Sequence, residues 1–158
     1  MPDDLHFRRV MATFPTGVAV VTARSPDGRP CGLTANSLAS VSLEPTLILV
    51  CVDREAASHD CIVDGGAFAV SLLDHKHELL ARRFALASRS SRFDELDYRT
   101  EITGSPILMD ALAWLDCRVH AVHDGGDHSI VVGEVLACDA SEGDPLIFFR
   151  GAYRRVQA

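Results

Sequence analysis

The sequence predicts a mainly β protein, an antiparallel barrel of Greek-key type with two or three helices inserted between its strands. About seven short apolar or alternating segments recur along the chain, and tight turns join most of them into hairpins. Strands and helices do not alternate strictly, which argues against a doubly wound parallel sheet. The chain has 158 residues, of which 47% are hydrophobic, so we expect residues 1–158 to form a single domain.

The first elements are a short helix and a hairpin. Residues 4 to about 12 begin at an acidic residue and carry apolar side chains at helical spacing, and Pro15 ends this helix. A β-branched strand follows, and Ser25–Gly28 (Ser-Pro-Asp-Gly) is a strong turn signal. We therefore expect residues 17–35 to form a β-hairpin.

The stretch from Gly32 to Val52 combines two different halves. Up to Ser42 it is small and rich in hydroxyl groups, whereas Leu47–Val52 is a continuous apolar run, typical of a strand buried on both faces. A polar segment fastened to a rigid strand presents hydrogen-bond donors to a ligand. The alternative is a surface loop with ordinary turn serines, and the pattern alone favours that loop.

The middle of the chain adds helices and an irregular segment. Asp53 is a good N-cap and Gly65-Gly66 a good stop, so the sequence predicts a short helix between them. Residues 67–73 alternate as a strand does, and Asp74 caps a helix that reaches about residue 85. Residues 86–106 follow no regular pattern, and a loop of that length is usually a functional lid or a mobile segment. Its candidate anchoring residues are Phe93, Leu96 and Tyr98.

The last third of the chain holds the clearest pair of strands. Residues 114–123 alternate between apolar and polar side chains, Asp124–Asp127 makes a turn, and residues 128–138 return as a long strand. Gly133 in the middle of that strand predicts a bulge or a close approach of another group. Residues 145–149 form a final strand.

Composition limits the kind of partner and the compartment. The net charge of −7 argues against non-specific binding to nucleic acid or to an anionic membrane surface. No segment reaches the length of a membrane span, and the charged N-terminus lacks a signal-peptide core, so we expect a cytoplasmic protein. The five cysteines are an odd number, and we expect buried free thiols in a reducing compartment. They are Cys31, Cys51, Cys61, Cys117 and Cys138.

The chain lacks the motifs of several kinds of site. The chain has no G-x-G-x-x-G after a strand, no P-loop and no G-x-S-x-G. Its seven histidines do not stand at metal-ligating spacings and no C-x-x-C occurs, so we expect no metal site. His128 is either a solvated turn histidine or a hydrogen-bond donor at the barrel rim. Asp53 is either an ordinary helix cap or part of a ligand site. Arg83-Phe84 is either a helix C-terminal arginine beside a core phenylalanine or part of such a site.

A set of short segments follows a characteristic order along almost the whole chain. They are Phe14-Pro15-Thr16-Gly17-Val18, Gly32-Leu33-Thr34-Ala35-Asn36-Ser37, Ser40-Val41-Ser42-Leu43-Glu44-Pro45 before the apolar run, Gly66-Ala67-Phe68-Ala69-Val70, Leu80-Ala81-Arg82-Arg83-Phe84, Gly126-Asp127-His128 and Phe149-Arg150-Gly151-Ala152-Tyr153. In this order they resemble the short-chain flavin reductase family, the reductase components of two-component flavin-dependent monooxygenases.

The resemblance implies a fold and an activity. The fold would be the FMN-binding split barrel, usually a homodimer. The activity would be the reduction of FMN or FAD by NADH or NADPH, with reduced flavin released to a monooxygenase partner. Hydride transfer between two stacked rings needs positioning and no protein nucleophile, which suits a chain without a catalytic dyad.

The resemblance also assigns site residues. Those lining the isoalloxazine ring would be Gly32, Leu33, Thr34, Ala35, Asn36, Ser37 and Leu38. Those on the ribityl-phosphate side would be Val52, Asp53, Arg54, Ser58 and His59, with Arg83 and Phe84 closing the flavin site. The catalytic residue meeting the nicotinamide would be His128, with Arg150, Gly151 and Tyr153 close by.

Several choices stay open at this point. Asn36 and Leu38 depart from residues that the family often carries, which leaves FMN against FAD undecided. Arg89 or Arg92 is a candidate contact for the 2′-phosphate of NADPH. A split-barrel oxidase with tightly bound FMN is one alternative function, and a non-catalytic flavin- or haem-binding protein is another.

Overall fold

The fold is given by a computed structural model that describes residue 1, residues 3–86, residue 88 and residues 91–156. The helices are α1 (Asp4–Met11), α2 (His59–Asp64) and α3 (Glu78–Leu86), the last preceded by a 3-10 turn at His75–His77. The strands are β1 (Thr16–Gly17), β2 (Ala19–Arg24), β3 (Pro30–Ala35), β4 (Leu38–Leu43), β5 (Thr46–Asp53), β6 (Ala67–Leu72), β7 (Tyr98–Arg99), β8 (Ile107–Leu108), β9 (Ala113–Gly125), β10 (His128–Ala140), β11 (Leu146–Phe149) and β12 (Ala152–Arg155). Among the described residues, no helix combines the length and apolar character that crossing a membrane requires.

One large antiparallel sheet dominates the fold. Its seven strands follow the order β3-β2-β6-β9-β10-β5-β4, and two smaller sheets, β1-β11-β12 and β7-β8, accompany it. The two end strands, β3 and β4, are consecutive in sequence, so the sheet curls round on itself. Just beyond β3, the Cys51 N–H of β5 donates to the Ser37 carbonyl at 3.3 Å. The expected mainly β, antiparallel barrel with inserted helices is confirmed.

The barrel interior is filled by small and β-branched side chains. Val21, Val50, Phe68 and Val131 have no exposed surface, and they belong to one cluster contributed by neighbouring strands. In β5 only alternate residues are buried, and Leu49 and its outward neighbours are half-buried. The expectation that this strand is buried on both faces was therefore wrong, because one of its faces lies outside the barrel.

A chain of aromatic rings anchors the irregular segment after α3. The Phe84 ring meets the Phe93 ring edge to face at 5.1 Å, and Phe93 meets Tyr98 in the same way at 5.8 Å. Leu96 packs against the same cluster. The three anchoring residues expected from the sequence are thus confirmed, and they hold this segment over the C-terminal half of α3.

The helix expected at Asp53 begins later. The Asp53 carboxylate accepts a hydrogen bond from the Glu55 N–H at 2.8 Å, which closes a turn, and α2 starts only at His59. The expected stop at Gly65 is confirmed as the C-cap. Asp residues favour turns as readily as helix starts, and here the turn is formed.

Strands β4 and β12 have no clear signal in the sequence. β4 contains small and hydroxyl-bearing residues that read as a loop, yet it pairs with β5 at the end of the large sheet. β12 pairs with β11 just after the Arg150-Gly151 turn, where both residues have positive φ. Both strands lie at sheet edges, where exposure removes the apolar alternation that identifies a strand.

A disulfide joins β3 to α2. Cys31 and Cys61 are bonded with their Cα atoms 6.6 Å apart, and both side chains are buried. The expectation of five free thiols was therefore wrong, because folding brings together two cysteines that are 30 residues apart in sequence. Cys51, Cys117 and Cys138 are free, and Cys138 is exposed rather than buried.

Gly133 lies at a bulge and is also closely approached by another group, the two features expected for it from the sequence. The β9–β10 register shifts between Val132 and Gly133, which marks a bulge. A Cβ atom placed on Gly133 would lie 2.7 Å from Cε1 of Phe68 and 3.0 Å from Cβ of Cys117. The absence of a side chain therefore lets β10 cross the fully buried Phe68 ring.

Candidate functional site

A cavity of about 360 Å³ opens where β3 and β5 separate. This volume is at the lower end of the range for small-molecule sites. The walls come from the end of β3, the end of β5 with its following turn, the C-terminal part of α3, and the start of β10. The lining residues are Leu33, Thr34, Ala35, Asn36, Ser37, Cys51, Asp53, Ala56, Ala57, Phe84, Ala85, Arg92 and His128.

The outer edge of β3 offers backbone hydrogen-bonding groups to this cavity. The Gly32 carbonyl points away from β2, because it accepts hydrogen bonds from the Ser58 hydroxyl at 3.0 Å and from Arg92 at 2.7 Å. In an antiparallel strand the N–H and C=O of one residue face the same side, and the side alternates along the chain. Thr34 therefore presents both backbone groups to the cavity. A planar heterocycle with donors and acceptors along one edge would pair with them as another strand does.

Side-chain hydroxyls near this edge are engaged with the protein itself. The Thr34 hydroxyl donates to the Ala81 carbonyl of α3 at 2.6 Å. The Ser37 hydroxyl donates to the Cys51 carbonyl at 2.8 Å and accepts from the Cys51 N–H at 3.2 Å. These bonds fix the wall of the cavity, and the donors left to face a ligand are mainly backbone groups.

A buried arginine gives one wall a positive charge. Arg92 is only 9% exposed, and besides the Gly32 carbonyl its guanidinium approaches the Ser58 hydroxyl at 3.3 Å. Ser58 is fully buried and lies immediately before α2. A guanidinium presents several donors in a fixed plane, so this wall suits an anionic group such as a phosphate.

His128 lines the cavity from the opposite side, at the start of β10. Its Nδ1 atom lies 2.7 Å from the Asp127 carboxylate, and this hydrogen bond, with the attraction between the two groups, lowers the pKa of Asp127. Arg54 holds the same turn by donating to the Gly126 carbonyl at 3.0 Å and to Asp124 at 2.6 Å. Arg54 thus reaches toward the hairpin turn.

Other residues expected at the site point elsewhere. Val52 is fully buried in the barrel core. The His59 ring lies 2.9 Å from the Ser129 hydroxyl and 2.8 Å from the Asp60 carboxylate, which ties α2 to β10. The serine, histidine and aspartate are ordered as in a hydrolytic triad, but Ser129 is only 3% exposed and lines no part of the cavity.

Arg83 supports the loop that carries Arg92. Its guanidinium donates to the Ser91 carbonyl at 2.9 Å and to the Asp94 carbonyl. Phe84, the next residue, is fully buried and forms the base of the cavity wall. Of the two residues expected to close the site, Arg83 therefore holds the loop that carries Arg92, and Phe84 forms part of the cavity wall.

Three of the remaining expected residues border a second groove. This groove of about 610 Å³ lies beside α1, shares Asn36 and Ser37 with the first cavity, and includes Leu38 together with Arg150 and Gly151. Tyr153 lies further away, where its ring carries the Arg82 guanidinium at 5.0 Å. The structure therefore brings eight expected residues into one cavity: Leu33, Thr34, Ala35, Asn36, Ser37, Asp53, Phe84 and His128.

Five lining residues were not among those expected from the sequence. Three are alanines, which give no chemical signal, and Cys51 lies inside an apolar run. From the sequence, Arg92 is a candidate only for contact with a 2′-phosphate, and nothing in its sequence neighbourhood indicates that it is buried. Arg89, the other candidate for that contact, lies outside the described residues.

The described part of the site shows no arrangement of side chains typical of covalent or metal-assisted catalysis. Within the described ranges, no group of three or more His, Cys, Asp or Glu side chains could hold a metal ion. The cavity hydroxyls of Thr34 and Ser37 donate to carbonyl groups and have no base beside them. The arrangement suits binding and orienting planar ligands between the edge of β3 and His128.

Known proteins are similar to this chain in sequence and in fold. Residues 11–157 match the family described as flavin reductase like domain. The FMN reductase (NADH) SmoA of Agrobacterium fabrum is 42% identical over 94% of this chain and 84% of its own length. HsaB of Mycobacterium tuberculosis, the reductase subunit of a flavin-dependent monooxygenase, is 37% identical over 98% of this chain and 83% of its own.

A solved structure agrees with both matches. The NADH:FAD oxidoreductase of Streptomyces globisporus, determined in complex with NAD and FAD fragments, superimposes with a TM-score of 0.91. It is 40% identical, and the similarity covers 98% of this chain and 93% of that one. From its sequence and its fold, this chain belongs to the flavin reductase-like domain family.

Proposed function

We propose that this protein is an NAD(P)H-dependent flavin reductase, which reduces FMN or FAD and supplies the reduced flavin to a partner monooxygenase. The observation that carries the proposal is a single cavity in which the open edge of β3 faces His128. Relatives named as NADH-dependent FMN or FAD reductases, at 42% identity, support the same activity. Residues 1–158 would act as one flavin reductase-like domain.

The residues present fit a flavin. The backbone N–H and C=O of Thr34 match the donor and acceptor edge of the isoalloxazine ring, and the buried Arg92 matches a phosphate. When bound, the flavin supplies an N5 atom that accepts a hydride from the nicotinamide C4. The chain itself orients the two rings at reacting distance and needs no nucleophile for this step.

The residues fall into four groups within this proposal. Leu33 to Ser37, Asp53 and Phe84 would contact the flavin, and His128 would contact the nicotinamide as the catalytic residue. Supporting contacts, rather than direct ones, would come from Gly32, Val52, Arg54, Ser58, His59 and Arg83. Leu38, Arg150, Gly151 and Tyr153 would lie on the coenzyme side.

The decisive assay compares coenzymes and flavins side by side. Steady-state oxidation of NADH and of NADPH is measured with FMN, FAD and riboflavin at equal concentrations. Turnover with at least one flavin supports the reductase. A yellow colour that survives dialysis would instead identify an oxidase with tightly bound FMN, and flavin binding without NADH consumption would identify a non-catalytic binding protein.

Substitution of His128 by alanine should impair use of the coenzyme. Losing one hydrogen bond to the nicotinamide is expected to lower kcat/KM for NADH by about tenfold, while the KM for flavin stays within about twofold. Initial rates with each substrate varied in turn measure both constants. Unchanged KM and turnover for NADH would contradict a role for His128.

Flavin binding should protect Cys51 from alkylation. Cys51 is half-buried in the cavity wall, Cys138 is exposed, and Cys117 is fully buried, where desolvation raises the pKa of its thiol to about 12. With iodoacetamide and mass spectrometry, Cys138 should react first and Cys117 last, and saturating FMN should slow only Cys51. A Cys51 rate indifferent to flavin would place the flavin elsewhere.

We also propose that the protein is a homodimer. The α1 helix has no buried residue, and its apolar side chains are exposed to between 49% and 62%. Such a face is normally covered by another protein surface. The apolar side chains are Leu5, Phe7, Val10 and Met11. Sedimentation equilibrium measures the assembly directly, and a monomer at micromolar concentration would refute it.

A cytoplasmic location is a further proposal. The described chain keeps three free cysteines, as is usual in a reducing compartment. The Cys31–Cys61 disulfide is the observation that weighs against this location. Fractionation of the native host, with alkylation of thiols before lysis, measures both the compartment and the state of this cysteine pair.

A further inference from the structure

We propose that Asp127 is a positioning residue, whose carboxylate fixes the ring orientation and the tautomer of His128 so that Nε2 accepts a hydrogen bond from the nicotinamide carboxamide. This inference rests on the proposed function. It deepens that function by assigning a role to a residue that touches neither ring.

The geometry around His128 carries the argument. The Asp127 carboxylate lies 2.7 Å from Nδ1, and His128 itself lines the cavity. Among the described residues, no hydrogen bond engages Nε2. The other ring nitrogen is therefore the atom that a ligand in the cavity can reach.

The chemistry of the pair dictates the tautomer. An ionised carboxylate only accepts hydrogen bonds, so a neutral histidine bonded to it must carry its proton on Nδ1. Nε2 then holds a lone pair. The carboxamide of a nicotinamide coenzyme offers an N–H₂ group, which such a lone pair accepts. Without the carboxylate, the proton moves freely between the two nitrogens.

Neighbouring groups hold the turn that carries this carboxylate. Arg54 donates its backbone N–H to the Asp127 carbonyl at 3.0 Å and its guanidinium to Asp124, which holds the turn. Arg8 of α1 also attracts the Asp127 carboxylate. Asp53 pairs with His128 across β5 and β10, but its carboxylate is bonded to the Glu55 N–H.

The chain offers a matched control for the substitution. His59 and Asp60 are also neighbours in sequence, with Nδ1 2.8 Å from the carboxylate, and Asp60 is as exposed as Asp127, at 91% against 92%. His59 lines no part of the cavity. Asp60→Asn thus removes the same contact at a ring that has no part in meeting the coenzyme.

The experiment joins kinetics to nitrogen NMR. In Asp127→Asn the KM for NADH should rise about threefold to tenfold, the loss of one hydrogen bond, with kcat and the flavin KM within about twofold of wild type. Asp127→Glu should restore part of the loss, and Asp60→Asn should leave the KM for NADH unchanged. With ¹⁵N-labelled histidine above pH 8, the His128 signals, assigned by their loss in His128→Gln, should shift from Nδ1–H toward a mixture in Asp127→Asn.

Each failure has a distinct signature. Wild-type protein that oxidises neither coenzyme with any flavin would overturn the proposed function, and this inference with it. Active wild type combined with an unchanged NADH KM in Asp127→Asn, or with unchanged His128 nitrogen shifts, would overturn the positioning role alone. An equal effect of Asp60→Asn would show that lost surface charge, and not the His128 contact, is responsible.

Discussion

Replacing both Cys31 and Cys61 by alanine is expected to lower the free energy of unfolding by about 3–4 kcal/mol. The disulfide closes a loop over 30 residues of sequence separation, and a cross-link of that span removes this much freedom from the unfolded chain. Both side chains are buried, so losing the sulfur atoms adds a small packing cost. Urea unfolding followed by circular dichroism measures the difference.

Two controls isolate the cross-link from the substitution. Cys138→Ser changes an exposed free thiol and should alter stability by less than about 0.5 kcal/mol. Wild-type protein unfolded with an excess of dithiothreitol should approach the double variant. If mass spectrometry of the native protein finds Cys31 and Cys61 as free thiols, the disulfide on which the prediction rests is absent and the prediction is contradicted.

The disulfide joins the two segments that meet behind the proposed flavin site. Cys31 precedes Gly32, whose carbonyl accepts from Ser58 and Arg92, and Cys61 lies three residues after Ser58. Removing the cross-link should therefore weaken flavin binding as well as global stability. The KM for flavin, measured well below the unfolding midpoint, separates the two effects.

Gly133→Ala is expected to destabilise the protein by about 3 kcal/mol, at the upper end of the usual cost of overpacking a core. The new methyl group would lie 2.7 Å from Cε1 of Phe68, and this ring has no exposed surface through which to move away. Because Gly133 lies in the strand that begins at His128, the strain should also lower NADH turnover. Thermal unfolding and steady-state kinetics report the two consequences.

A matched glycine and a double variant sharpen this test. Gly17 lies in a strand with no atom within 4 Å of an added Cβ, so Gly17→Ala should change stability by less than about 1 kcal/mol. Phe68→Leu shortens the obstructing side chain, and combined with Gly133→Ala it should recover about 1 kcal/mol or more relative to additivity. Additive effects, or a Gly133→Ala variant as stable as wild type, would contradict the close approach.

Local patterns predict much of the fold, because alternation and turn chemistry act over a few residues. The β2–β3 and β9–β10 hairpins, the Asp74 cap and the aromatic anchors were all predicted from such signals. Edge strand β4 was missed because its outer face meets solvent. The disulfide was missed because pairing across 30 residues depends on the topology of the whole sheet.

The predicted residues that line the cavity lie mostly where the backbone determines contact. Residues 33–37 are consecutive and form the end of β3 and the two positions after it, so if one of them lines the cavity the others lie nearby. Long side chains behave differently, since Arg54 and His59 have several partners within reach and tertiary contacts decide between them. Burial of Arg92 depends on the path of a loop that carries no regular pattern.

The gap between β3 and β5 is expected to make the stability of the folded protein, and through it the protein's abundance, depend on its ligand. A sheet that leaves backbone groups of Thr34 facing a cavity is completed only when something else pairs with them. A ligand that binds only the folded state raises its stability by about 2.7 kcal/mol at a hundred times its dissociation constant. In a cell, a shortage of flavin would then leave more of this chain unfolded and open to proteolysis, so that the amount of reductase follows the supply of the molecule it reduces.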